Sequence, residues 1–405
     1  MSSQLPRFVL LAVAATLPAM LHAQLNFNID GREVQVHSFA SQGFLYSNDN
    51  NYLTTDTSKD SFAFTDFGGN ISAQINDKFR VGAQVFGYNL GHLGNWKPNI
   101  DWAMGDYRFK SWFGVRAGKV KTVVGLYNDT QDMQFLHTWA LVPQSVYPMD
   151  LRGDDTAHLG ADLYGDIPVK KLGSFSYTLY GDKRPFDSNG GYVYSLLANQ
   201  GTTANSGRHI DDYGGPVYGS DLRWTTPVKG LMAGVSLLKQ DITTTGYYMS
   251  NKVPYKRITF KDNTPAYYAQ YTYGNFRFDG EYRREVKVIR GDALSGILNA
   301  PASVDIRSGY VSGAYRFSKW LELGSYHSRY YPNWNTVHSV LGNHLFDQTF
   351  TARLDLRSYL DFKIEGHFIR GAPTGNAVRG FYPQDNPLGL FESTHLLVLR
   401  LGYHI

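Results

Sequence analysis

Apolar residues recur at every second position in run after run of this chain. In "DKFRVGAQVFGY", Phe79, Val81, Ala83 and Val85 share one face, and Arg80, Gly82, Gln84 and Phe86 share the other. "GNFRFDGEYRRE" sets Phe276, Phe278, Gly280 and Tyr282 against Arg277, Asp279, Glu281 and Arg283. "LDFKIEGHFI" sets Leu360, Phe362, Ile364, Gly366 and Phe368 against Asp361, Lys363, Glu365 and His367. A period of two is the pleat of a β-strand with one greasy and one polar face. The alternation reaches the last residue, through Leu397, Leu399, Leu401, Tyr403 and Ile405. Terminal residues of a water-soluble domain usually fray and bury little, so this last face needs both a partner strand and an apolar surrounding.

About sixteen such runs follow one another, an even number with both ends on the same side, as a transmembrane up-and-down barrel requires. They include runs near 34–46, 61–75 and 78–89, a fourth near 107–118, a fifth near 120–126, and a last one near 393–405. The connections alternate. Short turns at Asn76–Asp77, Pro227–Gly230, Gly274–Asn275, Ser318–Lys319 and Arg357–Tyr359 carry turn residues or little length. Long polar stretches lie near 47–60, 90–106, 127–156, 184–214, 241–264, 288–304, 331–345 and 371–392. The reading is an all-β, antiparallel barrel over residues 24–405. Placing that many half-apolar strands in one soluble sandwich would demand a core larger than ordinary sheets enclose; in a barrel the outer faces meet lipid. Aromatics near strand ends, Tyr107, Trp112, Tyr267, Tyr273, Tyr315, Trp320 and Tyr403, suit an interfacial girdle.

The first residues address the compartment. "MSSQLPR" followed by "FVLLAVAATLPAML" and "HA" has the charged start, apolar centre and small final residue of a secretory signal peptide, expected to cover residues 1–23. No other run approaches a membrane-helix length. The chain has no Cys, so disulfides and a lipidated cysteine are excluded, and its net charge of +4 is spread without a basic patch that would suit nucleic acid.

Taken together, the leader, the alternating strands, the short turns and the terminal "LVLRLGYHI" resemble a Gram-negative outer-membrane porin. "VHSFASQGFLYS" and "DWAMGDYRFKSWFGVRAGKVKTVVGLYNDTQD" are reminiscent of porin-like proteins loosely related to the phosphate-selective type. The terminal Phe usual in that family is replaced here by Ile405. The resemblance implies a water-filled channel for small hydrophilic solutes, a homotrimer set among outer-membrane lipid and lipopolysaccharide, and insertion by the barrel assembly machinery. It implies neither a cofactor nor a metal.

Porins fold a long loop into the lumen after the fifth strand. The corresponding segment here, near 127–156, carries Asp129, Asp132, Asp150, Asp154 and Asp155 against Arg152. By alternation the inward basic set includes Arg80, Arg108, Lys110, Arg116, Arg223, Arg277, Arg353, Lys363 and Arg400, balanced by carboxylates such as Asp221, Asp279, Glu281, Asp361 and Glu365. Near balance argues against strong selectivity. "RFKSWFGVR" is read as one strand placing Arg108, Lys110 and Arg116 together beside the loop, and so as the source of a mild anion preference across an acidic constriction. Scattered Arg without a Lys cluster gives no support to a dedicated phosphate channel.

Two other readings stay open. A channel specific for sugars or organic anions would use aromatics such as Trp96, Tyr247, Tyr248, Trp334 and Phe381. A secreted carbohydrate-binding or adhesive all-β protein would use the same strands without a membrane. Catalysis finds no support: there is no G-x-S-x-G, the His residues are scattered, and Asp154, Asp155 and His158 lack the ligand set of a metal loop.

Overall fold

The computed structural model describes residues 25–29, 31–198, 207–249, 251–293, 297–374 and 379–405; the expected leader, residues 1–23, lies outside them. Sixteen antiparallel strands close into a barrel. They are β1 (Arg32–Ser47), β2 (Ser61–Asn76), β3 (Phe79–Leu90), β4 (Asn99–Lys110), β5 (Phe113–Lys121), β6 (Ala157–Val169), β7 (Gly173–Lys183) and β8 (Pro216–Thr225). The ring continues with β9 (Leu231–Tyr248), β10 (Pro254–Tyr273), β11 (Phe276–Arg290), β12 (Ala302–Arg316), β13 (Leu321–Tyr331), β14 (Leu345–Arg357), β15 (Leu360–Arg370) and β16 (Ser393–His404). Each strand pairs with its sequence neighbour, and β16 returns to β1 with Phe39 opposite His404 and Ser47 opposite Leu396. The seam is finished by Ile405, whose N–H and C=O both bond the backbone of Ser38, at 2.8 and 2.9 Å. The terminal alternation is therefore that of a full wall strand, because a closed sheet has no edge to fray.

Short turns have local causes. Asn76 accepts the N–H groups of Lys78 and Phe79 on its side-chain oxygen, both at 3.0 Å, which fixes the β2–β3 reversal. Gly274 takes a positive φ of 57° between β10 and β11, a backbone conformation that costs glycine nothing.

Several sequence expectations are corrected: the fifth strand, expected near 120–126, runs instead over Phe113–Lys121, and the expected loop near 90–106 already holds β4 from Asn99. The expected fourth strand near 107–118 is a hairpin: β4 ends at Lys110, the chain turns at Ser111 and Trp112, and β5 starts at Phe113. Tyr107, Phe109, Phe113 and Val115 keep alternating through a turn that holds no Gly, Pro or Asn, so periodicity alone runs past it. The stretch near 241–264 is not a long loop. β9 and β10 extend through most of it and pair Tyr247 with Pro254.

Outward positions carry the apolar set. Ile71, Val85, Leu163, Leu222, Phe278, Val311, Phe350, Ile364 and Leu397 are all exposed on the outer wall. At the short-turn rim the rings touch in series, Tyr107 with Phe109 and Phe109 with Phe113, then Phe276 with Tyr315 and Tyr315 with Phe317, as an interfacial girdle requires. No helix among the described residues is long and apolar enough to cross a membrane. The strands cross instead.

Several long connections turn inward. Tyr52 and Leu53 from the β1–β2 loop and Phe381 from the β15–β16 loop pack with Ala140 and Leu141 against Leu45, Phe64, Leu345, Ile369 and Val398 of the wall, all buried. One side of the lumen is therefore an apolar plug.

Candidate functional site: the constricted lumen

The loop between β5 and β6, residues 122–156, enters the barrel and is almost wholly buried. An ion cluster ties its two ends to each other and to the wall. Lys121 bridges Asp101 at 2.6 Å and Asp132 at 2.9 Å, and Arg152 reaches Asp101 at 2.9 Å while its guanidinium lies 3.6 Å from the Phe86 ring centre.

Inward basic residues then hold the loop by its carbonyl oxygens. Arg223 donates to Gly125 at 3.0 Å, Arg353 to His137 at 2.8 Å and Arg400 to Ala140 at 2.7 Å. Arg283 donates to both Val124 and Val146. Lys363, fully buried, donates to the Gln134 carbonyl at 2.6 Å, the Gln134 side chain at 2.9 Å and the Trp139 carbonyl at 3.1 Å. Arg277 bonds the hydroxyl of Tyr127 at 2.8 Å, and that hydroxyl donates to Asp279 at 2.6 Å.

Wall carboxylates serve the opposite groups. Glu365 accepts the N–H of Ala140 and of Leu141, each at 2.9 Å. Glu281 accepts the Tyr147 hydroxyl and the N–H of Leu126. His367 joins Glu365 and Asp347, one ring nitrogen at 2.9 Å from each. A buried peptide group without a partner costs on the order of 1–3 kcal/mol, so this wall pays the desolvation of an irregular loop that a water-filled tube could not otherwise keep inside.

The basic positions picked out by alternation thus divide in two. Arg223, Arg277, Arg353, Lys363 and Arg400 converge on the loop. Arg108, Lys110 and Arg116 do not sit together opposite it, because the turn at Ser111 and Trp112 separates them onto β4 and β5. Arg108 pairs with Asp166 at 2.8 Å near the short-turn rim, Lys110 lies over the Trp112 ring, and Arg116 pairs with Asp106 at 3.5 Å above the Tyr164 ring. Arg80 bonds Ser72 at 2.6 Å.

The loop acids do not form one face either. Asp132 belongs to the ion cluster with Arg152. Asp150 accepts the N–H of Gly380 and the Tyr382 hydroxyl, and burial pushes its carboxyl above the usual range. Burial likewise raises Asp129, whose Oδ1 has no hydrogen-bond partner. Asp155 borders a cavity beside the loop, and Asp154 lies in the short helix Arg152–Asp155 with its side chain outside the described set. His137 is buried at the loop's centre, near Thr130's carbonyl at 3.0 Å, and burial holds its imidazole at about 3.

Beside the loop a cavity of about 150 Å³ lies between it and β9–β13, and a second hollow of about 440 Å³ borders the loop's other end at Phe86, Asp101, Lys119 and Arg152. Val124, Gln131, Val146 and Asp155 form the loop side of the first; Arg257, Asp262, Arg283, Glu285 and Lys287 line the wall, with Arg379 from the β15–β16 loop. Sequence reasoning missed Arg257 and Asp262, which stood inside an expected loop, and Asp101 for the same reason. Continuing the β11 alternation past Arg283 would have found Glu285 and Lys287. Of the aromatics considered for sugar stacking, Tyr248 and Phe381 are buried in packed clusters and Trp334 stacks on Arg307. None of these three lines the cavity.

No family model matches the sequence, and no curated protein matches it. Solved structures do match. OmpT, an outer membrane protein of Vibrio cholerae, superposes with a TM-score of 0.55 at 9% identity over 94% of this chain and 99% of that one. The outer membrane channel DcaP of Acinetobacter baumannii gives 0.54 at 10% identity, over 94% and 99%. The chain has the fold of the outer-membrane porins. The anion-selective porin from Comamonas acidovorans shares that porin architecture with a TM-score of 0.52 at 11% identity, over 92% of this chain and all of its own. At such identity the porin likeness is one of fold, and the lumen described above has to speak for function.

Proposed function

We propose that the chain is an outer-membrane diffusion channel of a Gram-negative bacterium, passing small hydrophilic solutes and ions passively. The observation that carries this reading is the constriction loop, tied into the lumen by wall residues so that a charged cavity of about 150 Å³ stays open beside it. A hollow of that size accepts a molecule of roughly benzene dimensions, and its charged lining keeps it wet.

Arg257, Arg283, Lys287 and Arg379 face Asp155, Asp262 and Glu285 there, a small cationic surplus that supports a mild anion preference. Its source is this cluster and not Arg108, Lys110 and Arg116. A homotrimer, insertion by the barrel assembly machinery, and contact with lipopolysaccharide belong to the same proposal, as does the absence of catalysis. The wide apolar outer wall weighs against a secreted adhesive protein, which would expose that wall to water.

Single-channel recording in a planar bilayer tests it. Stepwise conductance with a reversal potential slightly toward the anion side under a salt gradient is expected. Folded, inserted protein that carries no current would overturn the channel reading.

A further inference from the structure

High on the barrel wall, β4 and β5 separate. Their ladder ends at Ala103 opposite Lys119, although β4 begins at Asn99 and β5 runs to Lys121. A bulge accompanies the break: Gln84 of β3 faces Trp102 and Val85 faces Ile100, so Asp101 is an extra residue in β4, which bends a strand locally. β5 meanwhile stays with β6, pairing Val120 with His158 and Lys121 with Ala157. Side chains cross where the ladder is missing. The Lys119 ammonium donates to the Ile100 carbonyl at 2.6 Å, and Lys121, which shares the parity of Lys119, meets Asp101 and Asp132 of the lumen cluster.

The hollow of about 440 Å³ lies at this break and is bounded from both faces of the wall. Ile100 and Lys119 belong to the outer face, because they pair with Val85 and Leu159, which are exposed there. Phe86, Asp101 and Arg152 belong to the buried inner side. A space lined from both faces passes through the wall. Counted from the turn at Ser111 and Trp112, Lys119 and Ile100 stand roughly 15 and 25 Å up a tilted strand, in the upper part of an apolar band about 25 Å tall.

The hollow is chemically two-ended. Pro98, Ile100, Pro185 and Phe186 form an apolar mouth, where Ile100 and Phe186 are exposed. Deeper in, two cationic donors are left over. Arg152, buried over the Phe86 ring, has an Nε without a hydrogen-bond partner, and Lys119 stands in no ion pair among the described residues. The nearby acids are engaged elsewhere: Asp101 serves Lys121 and the far end of Arg152, and Asp187 accepts the N–H of Asn189 at 2.9 Å. A buried charged donor without an acceptor is costly.

We propose that this hollow binds a medium-chain amphiphilic carboxylate through the side of the barrel, with its oxygens on Lys119 Nζ and Arg152 Nε and its alkyl body at the mouth beside Ile100 and Phe186. The inference goes beyond the channel reading and rests on it only for placing the mouth in a membrane. A carboxylate gives each donor a charge-assisted bond at the cost of one negative charge near Asp101 and Asp187, where a phosphate would bring nearly two. The volume lies within the roughly 300–1,000 Å³ of ordinary small-molecule sites.

The test photolabels the refolded protein in lipid nanodiscs with octanoate carrying a terminal diazirine, using octanoate, octanol and acetate as competitors. Label is expected at the start of β4 and on residues 184–190, displaced at least tenfold better by octanoate than by octanol or acetate, and reduced about fivefold in Lys119→Gln. Equal displacement by octanol overturns the carboxylate, and equal displacement by acetate overturns the apolar mouth. Label confined to other strands, or undiminished in Lys119→Gln, overturns the site. Ala157→Phe fills the hollow from β6 and should abolish the label; if that variant does not fold, Lys119→Gln decides alone. Conductance of the same preparations answers separately for the channel reading.

Discussion

Lys363 of β15 donates to the carbonyl of Gln134 in the constriction loop at 2.6 Å, with its ammonium fully buried. The bond belongs to a set in which wall cations meet loop carbonyls and wall carboxylates meet loop amides. Replacing Lys363 by Met strands two carbonyls and the neighbouring Asp361. A loss of roughly 2–4 kcal/mol in stability is expected, read as a lower temperature of the shift in electrophoretic migration. The loosened loop should also raise single-channel conductance and current noise. A quiet channel of unchanged size would show that Lys363 does not hold the loop.

His137 gives the constriction a pH dependence of definite sign. Burial holds its folded pKa at about 3, below the ordinary value of 6.5, so the folded loop keeps the ring neutral. The stability this confers is complete above pH 6.5 and is lost as the pH falls toward 3, by up to about 1.4 kcal/mol for each unit. Acidification from pH 7 to 4 should therefore increase loop fluctuation and brief closures. Gln at position 137 should flatten that part of the profile; an equally steep profile in His137→Gln would assign the effect elsewhere.

Ion preference should follow the cavity and not the rim. Arg257→Gln combined with Lys287→Gln removes two cations from the space beside the loop and is expected to move the reversal potential toward the cation side. Arg108→Gln with Lys110→Gln removes two cations near the short turns and should move it by much less. The reverse order of effects would return the selectivity to the rim.

Phe381 meets Tyr52 at a ring separation of 4.9 Å and a tilt of 56° inside the apolar plug. Phe381→Ala should cost about 3–5 kcal/mol through the cavity it leaves, seen in thermal unfolding. It should also admit a second, smaller conductance level once water enters that side. Unchanged unfolding would mean that the plug contributes little to the barrel.

The wall was legible in the sequence because lipid forces one face of every strand to be apolar, as in Phe276, Phe278 and Tyr282 of β11. Legibility ended where that pressure ends. Above the membrane, "DITTTGYY" and "PYKRITFKDN" have no lipid on either face, so the upper parts of β9 and β10, with Arg257 and Asp262, looked like loop. The fastening of the loop left no trace in the sequence, because Lys363 and Glu365 bond backbone groups that every residue owns. The plug was invisible for another reason: Tyr52, Leu53 and Phe381 are isolated apolar residues in polar stretches, without a period to reveal them.

The pairing of Ser38 with Ile405 makes the seam the last place the barrel can be sealed. Strands β2 through β15 need only their neighbours in the chain, and hairpins of that kind assemble locally. The joining of β1 to β16 brings together the most distant segments of the sheet and gains nothing until both have been made. Until then two unpaired edges stand open in the envelope, each able to capture a foreign strand. A chain built in this way spends its most vulnerable interval between synthesis and closure.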